Sequence, residues 1–259
     1  MSWASRRRTT YLAGIGMFFA LTFGIPLAVW LYEPSTCFDG KQNQGETAVD
    51  KGSPCSLLDE RTLTPYAVLW SRSFQVREGA HGAVVYIENP NNEAGVRRAT
   101  YRFGLYDNRN ILVATREGTT FIMPGGITPI FEGAIDTGNR TVARTYFEFT
   151  GPLVWERTTN AAEALTIRNK QMFNTNESPR FTATVKNESV AEIRNVSFVA
   201  VVFDTAGNAF AASETLLSHI APDAKHEIVF TWPEPFRFAV GRLDIFPRLP
   251  PTSSIAGSR

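Results

Sequence analysis

The sequence predicts an all-β fold: two tandem β-sandwiches preceded by one N-terminal transmembrane helix. Three observations carry this. The chain has 259 residues, enough for one membrane segment and roughly two domains of about 100 residues each. Its N-terminal part holds a long run without a charge. Residues 62–249 hold a repeat at a spacing of 98 residues. Pro124 is answered by Pro222, Val142 by Val240, Arg144 by Arg242 and Asn89 by Asn187. Leu105-Tyr106-Asp107 is answered, one residue out of step, by Val202-Phe203-Asp204. A repeat of this length is a whole small domain used twice.

The first element is the helix. Residues 1–10 form a basic N-terminus containing Arg6, Arg7 and Arg8. Tyr11 to Tyr32 follows without a charge, 22 residues long. At 1.5 Å per residue it crosses a hydrocarbon core of about 30 Å. The three arginines before it and Glu33-Pro34 after it predict a cytoplasmic N-terminus, with all later residues outside. Tyr11, Trp30 and Tyr32 stand where interfacial aromatics stand. The run exceeds a signal-peptide core and no small-x-small cleavage site follows it, so a retained signal anchor is expected. Gly24 and Pro26 predict a kink, which a membrane helix tolerates.

Residues 33–61 are a polar, Gly-rich linker with the only two cysteines, Cys37 and Cys55. The space outside a membrane is usually oxidising, so these two are expected to pair. The closed loop is worth roughly 3 kcal/mol in the chain-entropy account. Asp39, Asn43, Glu46 and Asp50 supply hard oxygen atoms and are the calcium candidates, although their spacing is not that of an EF-hand.

Residues 62–155 and 156–249 each read as short strands cut by turn signals, the pattern of a sandwich. In the first unit Ala83 to Ile87 is a strand ending at a turn around Asn89-Pro90. Tyr101, Phe103 and Leu105 alternate with Thr100, Arg102 and Gly104, giving one apolar and one polar or small face. Asp107 to Asn110 and Met123 to Gly126 are turns. In the second unit Phe181, Ala183 and Val185 alternate, as do Ile228, Phe230 and Trp232. Val196 to Phe203 is longer and more apolar and reads as a central strand. The connection from Gly151 to Arg157 carries Leu153, Val154 and Trp155, and a packed junction between the sandwiches is expected there. Residues 250–259 read as a disordered tail.

Two resemblances rest on these residues. The linker resembles a Cys-rich motif found between the anchor and later domains of some bacterial surface proteins, C-x-D-G-x-x-N-x-x-E-T-x-V-D-C-G-x-x-C. Cys37, Asp39, Gly40, Asn43, Glu46, Thr47, Val49, Asp50, Gly52 and Cys55 fall on it, and Lys51 replaces one of its cysteines. Phe103-Gly104-Leu105-Tyr106-Asp107 resembles the signature of the FxLYD family of small extracytoplasmic, Ig-like β-sandwiches. Asn89 and Pro124-Gly125 stand in matching places. Ala200 to Asp204, with Asn187 and Pro222-Asp223, is a degenerate copy. The resemblance implies a fold and a surface location. It implies no catalysis and no cofactor.

Candidate chemistry is sparse. His219 and His226 flank the Pro222 turn and can approach across a hairpin, but two histidines without a third ligand make a poor zinc site. His81 stands apart. There is no nucleophile elbow and no phosphate-binding glycine loop. Arg97, Arg98, Arg102 and Arg109 form a local basic cluster, a candidate patch for an acidic partner. A net charge of +1 gives no field to attract nucleic acid. The expected function is a non-catalytic, single-pass scaffold or protein-binding protein of the bacterial cell envelope. Its expected partner is another envelope protein, and a small-molecule ligand is not expected. The alternative is a calcium- or metal-dependent envelope binding protein or enzyme using the Cys37–Cys55 loop.

Overall fold

The computed structural model describes residues 3–31, 36–43 and 45–253. It is an all-β body with one N-terminal apolar helix. Tyr32, Glu33, Pro34 and residues 254–259 lie outside the described residues.

The helix runs as α1 (Trp3–Phe19), a π-helical turn (Ala20–Gly24) and α2 (Ile25–Leu31). The stretch Arg6–Leu31 contains an 18-residue window of mean hydropathy 2.0, none of it buried against the rest of the chain, so it is long and apolar enough to cross a membrane. The π-turn answers Pro26. Proline has no N–H to give and its ring presses on the carbonyl four residues back. The helix widens just ahead of it, and the Ile25 N–H donates to the Ala20 carbonyl instead.

The first sandwich contains β1 (Ala67–Arg77), β2 (Ala80–Asn89), β3 (Ala94–Tyr106), β4 (Leu112–Ile122), β5 (Gly126–Asp136), β6 (Arg144–Phe149) and β7 (Glu156–Thr159). The second contains β8 (Leu165–Phe173), β9 (Arg180–Asn187), β10 (Ile193–Asp204), β11 (Ala209–Ile220), β12 (Lys225–Thr231) and β13 (Val240–Arg248). A last strand, β14 (Thr252–Ser253), returns to the first unit. The sheets are β1-β2-β5 against β4-β3 with β6 and β7 in the first unit, and β8-β9-β12 against β11-β10-β13 in the second. All pairings are antiparallel.

The alternations read from the sequence become the two cores. Tyr101, Phe103 and Leu105 of β3 bury against Ala83, Val85 and Ile87 of β2. Phe181, Ala183 and Val185 of β9 bury against Phe198, Ala200 and Val202 of β10. The out-of-step motif has a structural cause. Leu105 pairs with Ala114, as Val202 pairs with Ala211. The slip arises in the turn after Asn89, which is one residue longer than the turn after Asn187 when measured to Val96 and Ile193, which pair with the equivalent Ile122 and Ile220. β3 then bulges between Val96 and Ala99, around Arg97 and Arg98, and β10 has no bulge there.

β2 and β10 are apolar on both faces, and the second face of each explains how the units are joined. Val84 and Tyr86 of β2 meet Val199, Val201 and Phe203 of β10 in a third buried cluster. The sandwiches therefore lie side by side as four stacked sheets. Tyr86 is edge-on to Phe246, with ring centres 5.2 Å apart, and Trp70 packs on Tyr86 at 4.3 Å. Each large side chain buried in this layer contributes about 1.5–3 kcal/mol, which outweighs the ~1 kcal/mol of a surface ion pair. At its rim the Arg248 guanidinium is buried, bonds to the Thr120 hydroxyl across the junction at 2.9 Å and pairs with Glu214 at 3.3 Å. The Gly151–Arg157 connection is not the junction. Leu153 and Trp155 pack into the first core instead.

Two boundaries move. The first sandwich extends past residue 155, because β7 pairs with Ala94 and Gly95 of β3. The segment read as a tail from Pro250 is ordered through β14, which pairs with Thr159 and Thr158. Gly95 is required where these segments cross: a Cβ there would stand 2.6 Å from the Thr158 hydroxyl and 3.2 Å from Pro251.

Candidate functional site

The linker folds around its disulfide. Cys37 and Cys55 are bonded, with Cα atoms 5.5 Å apart. The four calcium candidates are drawn together, and their oxygens organise backbone. Asp39 accepts from the Thr36 and Lys41 N–H groups and from the Asn43 amide at 2.9 Å. The Asn43 bond and those backbone bonds hold its carboxyl below the usual range. Asp50 accepts from the Gly40 N–H. Glu46 is buried and accepts from the Asn43 and Asp50 N–H groups. Small polar loops of this kind hold their shape by such side-chain to backbone bonds. A carboxylate oxygen of Glu46 also lies beside both sulfurs. Those sulfurs are bonded to each other, so neither is a thiolate able to ligate a metal.

The four arginines do not converge. Arg97 and Arg98 sit at the bulge, and Arg97 pairs with Glu156. Arg102 lies mid-strand between Glu148 and Glu117, which neutralises that face. Arg109 stands in the turn beyond the end of β3, where its N–H donates to Asp107 at 2.8 Å. Asp107 also accepts from the Ile111 N–H. Asp204 makes the matching pair of bonds from Ala206 and Asn208. Both aspartates close turns, as expected for the last residue of the motif.

The two histidines do meet: the rings of His219 and His226 lie 6.5 Å apart. Among the described residues no carboxylate or third histidine joins them in a metal-sized cluster. His81 bonds to the Thr137 hydroxyl at 2.9 Å, and burial lowers its pKa.

A groove of about 280 Å³ opens at one end of the junction between the sandwiches. Residues 73–76 of β1 form one wall and residues 209–211 of β11 another. The third is the segment Trp232-Pro233-Glu234-Pro235-Phe236-Arg237-Phe238. Phe210 is edge-on to Phe236 at 5.2 Å, and Phe238 is 55% exposed. Arg237 reaches across to the Gln75 side chain at 3.1 Å. Sequence reading missed this place. The available signal was the aromatic and proline cluster after Trp232, which has no counterpart in the first copy.

No family model matches the chain, and no curated protein matches it. Among solved structures, red sea bream transglutaminase is similar at 9% identity, with a TM-score of 0.24 over 72% of this chain and 31% of that one. The likeness spans under a third of that protein and carries no argument about activity.

Proposed function

We propose that this is a single-pass, non-catalytic scaffold or protein-binding protein of the bacterial cell envelope. Its N-terminus is cytoplasmic and its two sandwiches stand outside the membrane. The observation that carries the reading is a bare apolar helix joined, through a disulfide-closed loop, to one body of two stacked sandwiches. Arg6, Arg7 and Arg8 precede the apolar stretch, which favours this orientation. The disulfide favours an oxidising compartment. The FxLYD-like reading of both units is part of the proposal. It is supported by the shared roles of Asn89 and Asn187 and of Asp107 and Asp204.

The test is protease treatment of intact spheroplasts, followed by co-purification from the native membrane. The reading expects the sandwiches to be accessible from outside and a defined envelope protein to co-purify. Protection of the sandwiches, or recovery of this chain alone at native abundance, counts decisively against it.

A further inference from the structure

The groove beside Phe238 has a structure that specifies a ligand. It is the uncovered end of the apolar layer that joins the sandwiches, since Phe74 and Ala209 belong to that layer and also line the groove. Two of its walls are runs of consecutive residues, 73–76 and 209–211. A run of consecutive strand residues faces a cavity with its backbone edge as well as its side chains. β1 and β11 are each the terminal strand of their sheet among the described residues. Upstream, the edge of β1 is covered by β6, where the Ser71 hydroxyl donates to the Thr145 carbonyl at 2.9 Å. Past Ser73 the groove replaces that cover.

We propose that this groove binds an extended peptide segment of a partner protein, which adds a strand to the edge of β1 and seats one apolar side chain among Phe210, Phe236 and Phe238. The inference rests on the partner-binding reading above and names the chemistry of the partner. An extended peptide satisfies both features of the site, exposed strand edge and aromatic pocket. A small apolar molecule would fill the pocket and leave the edge unpaired. The volume, just under the ~300–1,000 Å³ of pockets for drug-sized ligands, suits a side chain or two. An acyl chain is disfavoured by position. Thr64, just before β1, is tied to Asn91 beside the linker end of the body, and the groove lies roughly 30 Å further along β1.

The test uses the full-length, detergent-solubilised chain and a displayed library of random 12-residue peptides. The expected result is enrichment of peptides carrying a large apolar residue, whose affinity falls tenfold or more in Phe238→Ser. N-methylation of alternate peptide amides should remove binding to the same extent, because it blocks strand pairing but leaves the side chains. Phe238 is more than half exposed, so this variant should fold. Gln75→Ala, which removes the Arg237 tether, is the second variant and should shift affinity without unfolding. No enrichment, or peptides indifferent to Phe238→Ser and to N-methylation, overturns the proposal. So does a dimer, or an acyl-chain probe, that is lost in Phe238→Ser and competes with the peptides. A native partner that co-purifies equally well with Phe238→Ser removes the groove while leaving the scaffold reading intact. Failure of the wild-type chain to retain any partner removes that reading itself.

Discussion

Asn89 and Asn187, one repeat apart, do the same work in the two sandwiches. Each is fully buried. The Asn89 amide donates to the Ala94 and Met123 carbonyls at 2.7 and 2.8 Å. The Asn187 amide donates to the Ala191 and Ile220 carbonyls at 2.8 and 3.1 Å. Each side-chain oxygen then accepts from the N–H two residues on. One amide thus closes the turn after its own strand and ties it to the end of the fourth strand of its sandwich.

Replacing either asparagine with alanine strands two buried main-chain carbonyls. A loss of about 2–3 kcal/mol is expected for each variant, similar at the two sites. Urea unfolding of Asn89→Ala and Asn187→Ala measures it. Losses below roughly 0.5 kcal/mol would show that water replaces the amide without cost.

The joint between the sandwiches should decide whether the body unfolds as one unit. Val201 is fully exposed to the other sandwich and buried from solvent. Val201→Glu places an unpaired charge in that layer, which costs several kcal/mol. Calorimetry is expected to show one transition for the wild-type body and two for the variant, with the first unit retaining its own core. A single transition in both would mean the sandwiches stay coupled without this layer.

Alkaline titration reads this layer and the first core from inside. Burial, then the nearby Asp244 carboxylate, pushes the Tyr86 hydroxyl pKa far above its usual value. Burial, then the bond to Glu132, does the same for Tyr101. A folded pKa raised above the unfolded value near 10 means the folded state holds its protons longer. The contribution to stability is complete below about pH 10 and is lost as pH rises beyond it. Of seven tyrosines, these two should not ionise in the ultraviolet difference spectrum until the protein unfolds. Ionisation of all seven in the folded chain at pH 11 would contradict the burial.

The disulfide loop should behave as a separate piece. Cys37→Ser with Cys55→Ser is expected to open residues 37–55 to protease. The midpoint of body unfolding should move by less than about 4 °C, the equivalent of ~1 kcal/mol in a chain of this size. A larger fall would show that the loop supports the sandwiches. Glu46→Ala should open the loop in the same way with the disulfide intact, because it removes the acceptor for the Asn43 and Asp50 N–H groups.

The cores were legible in the sequence because alternation is a local property. Phe103 and Leu105, or Phe181 and Val185, state which way each strand faces. Asp107 and Asn89 state the turns. The joint was half legible. The run Val196 to Phe203 announced a long, apolar, central strand, but what covers its second face depends on a strand more than a hundred residues earlier. Leu153 and Trp155 misled for a related reason: apolar residues in a connection mark burial and do not say in which core. The arginine patch failed on charges distant in sequence, since Glu148 and Glu156 reach Arg102 and Arg97 only after the sheet forms. The groove was illegible because its walls come from three separate segments of both copies.

β7 joins the beginning of the folded body to its end. Along one edge it takes Ser56 and Leu57, through the Arg157 N–H to Ser56 bond and the Leu57 bridge, and then Thr252 and Ser253. The body is therefore clasped at a single seam rather than strung like beads from its apolar helix. A label fused after Ser253 would emerge next to the stalk, whereas one in the Asp204–Asn208 turn would emerge at the far tip. A pull between the apolar helix and a molecule held at that tip would load the clasp lengthwise, so that its hydrogen bonds share the force instead of opening one by one.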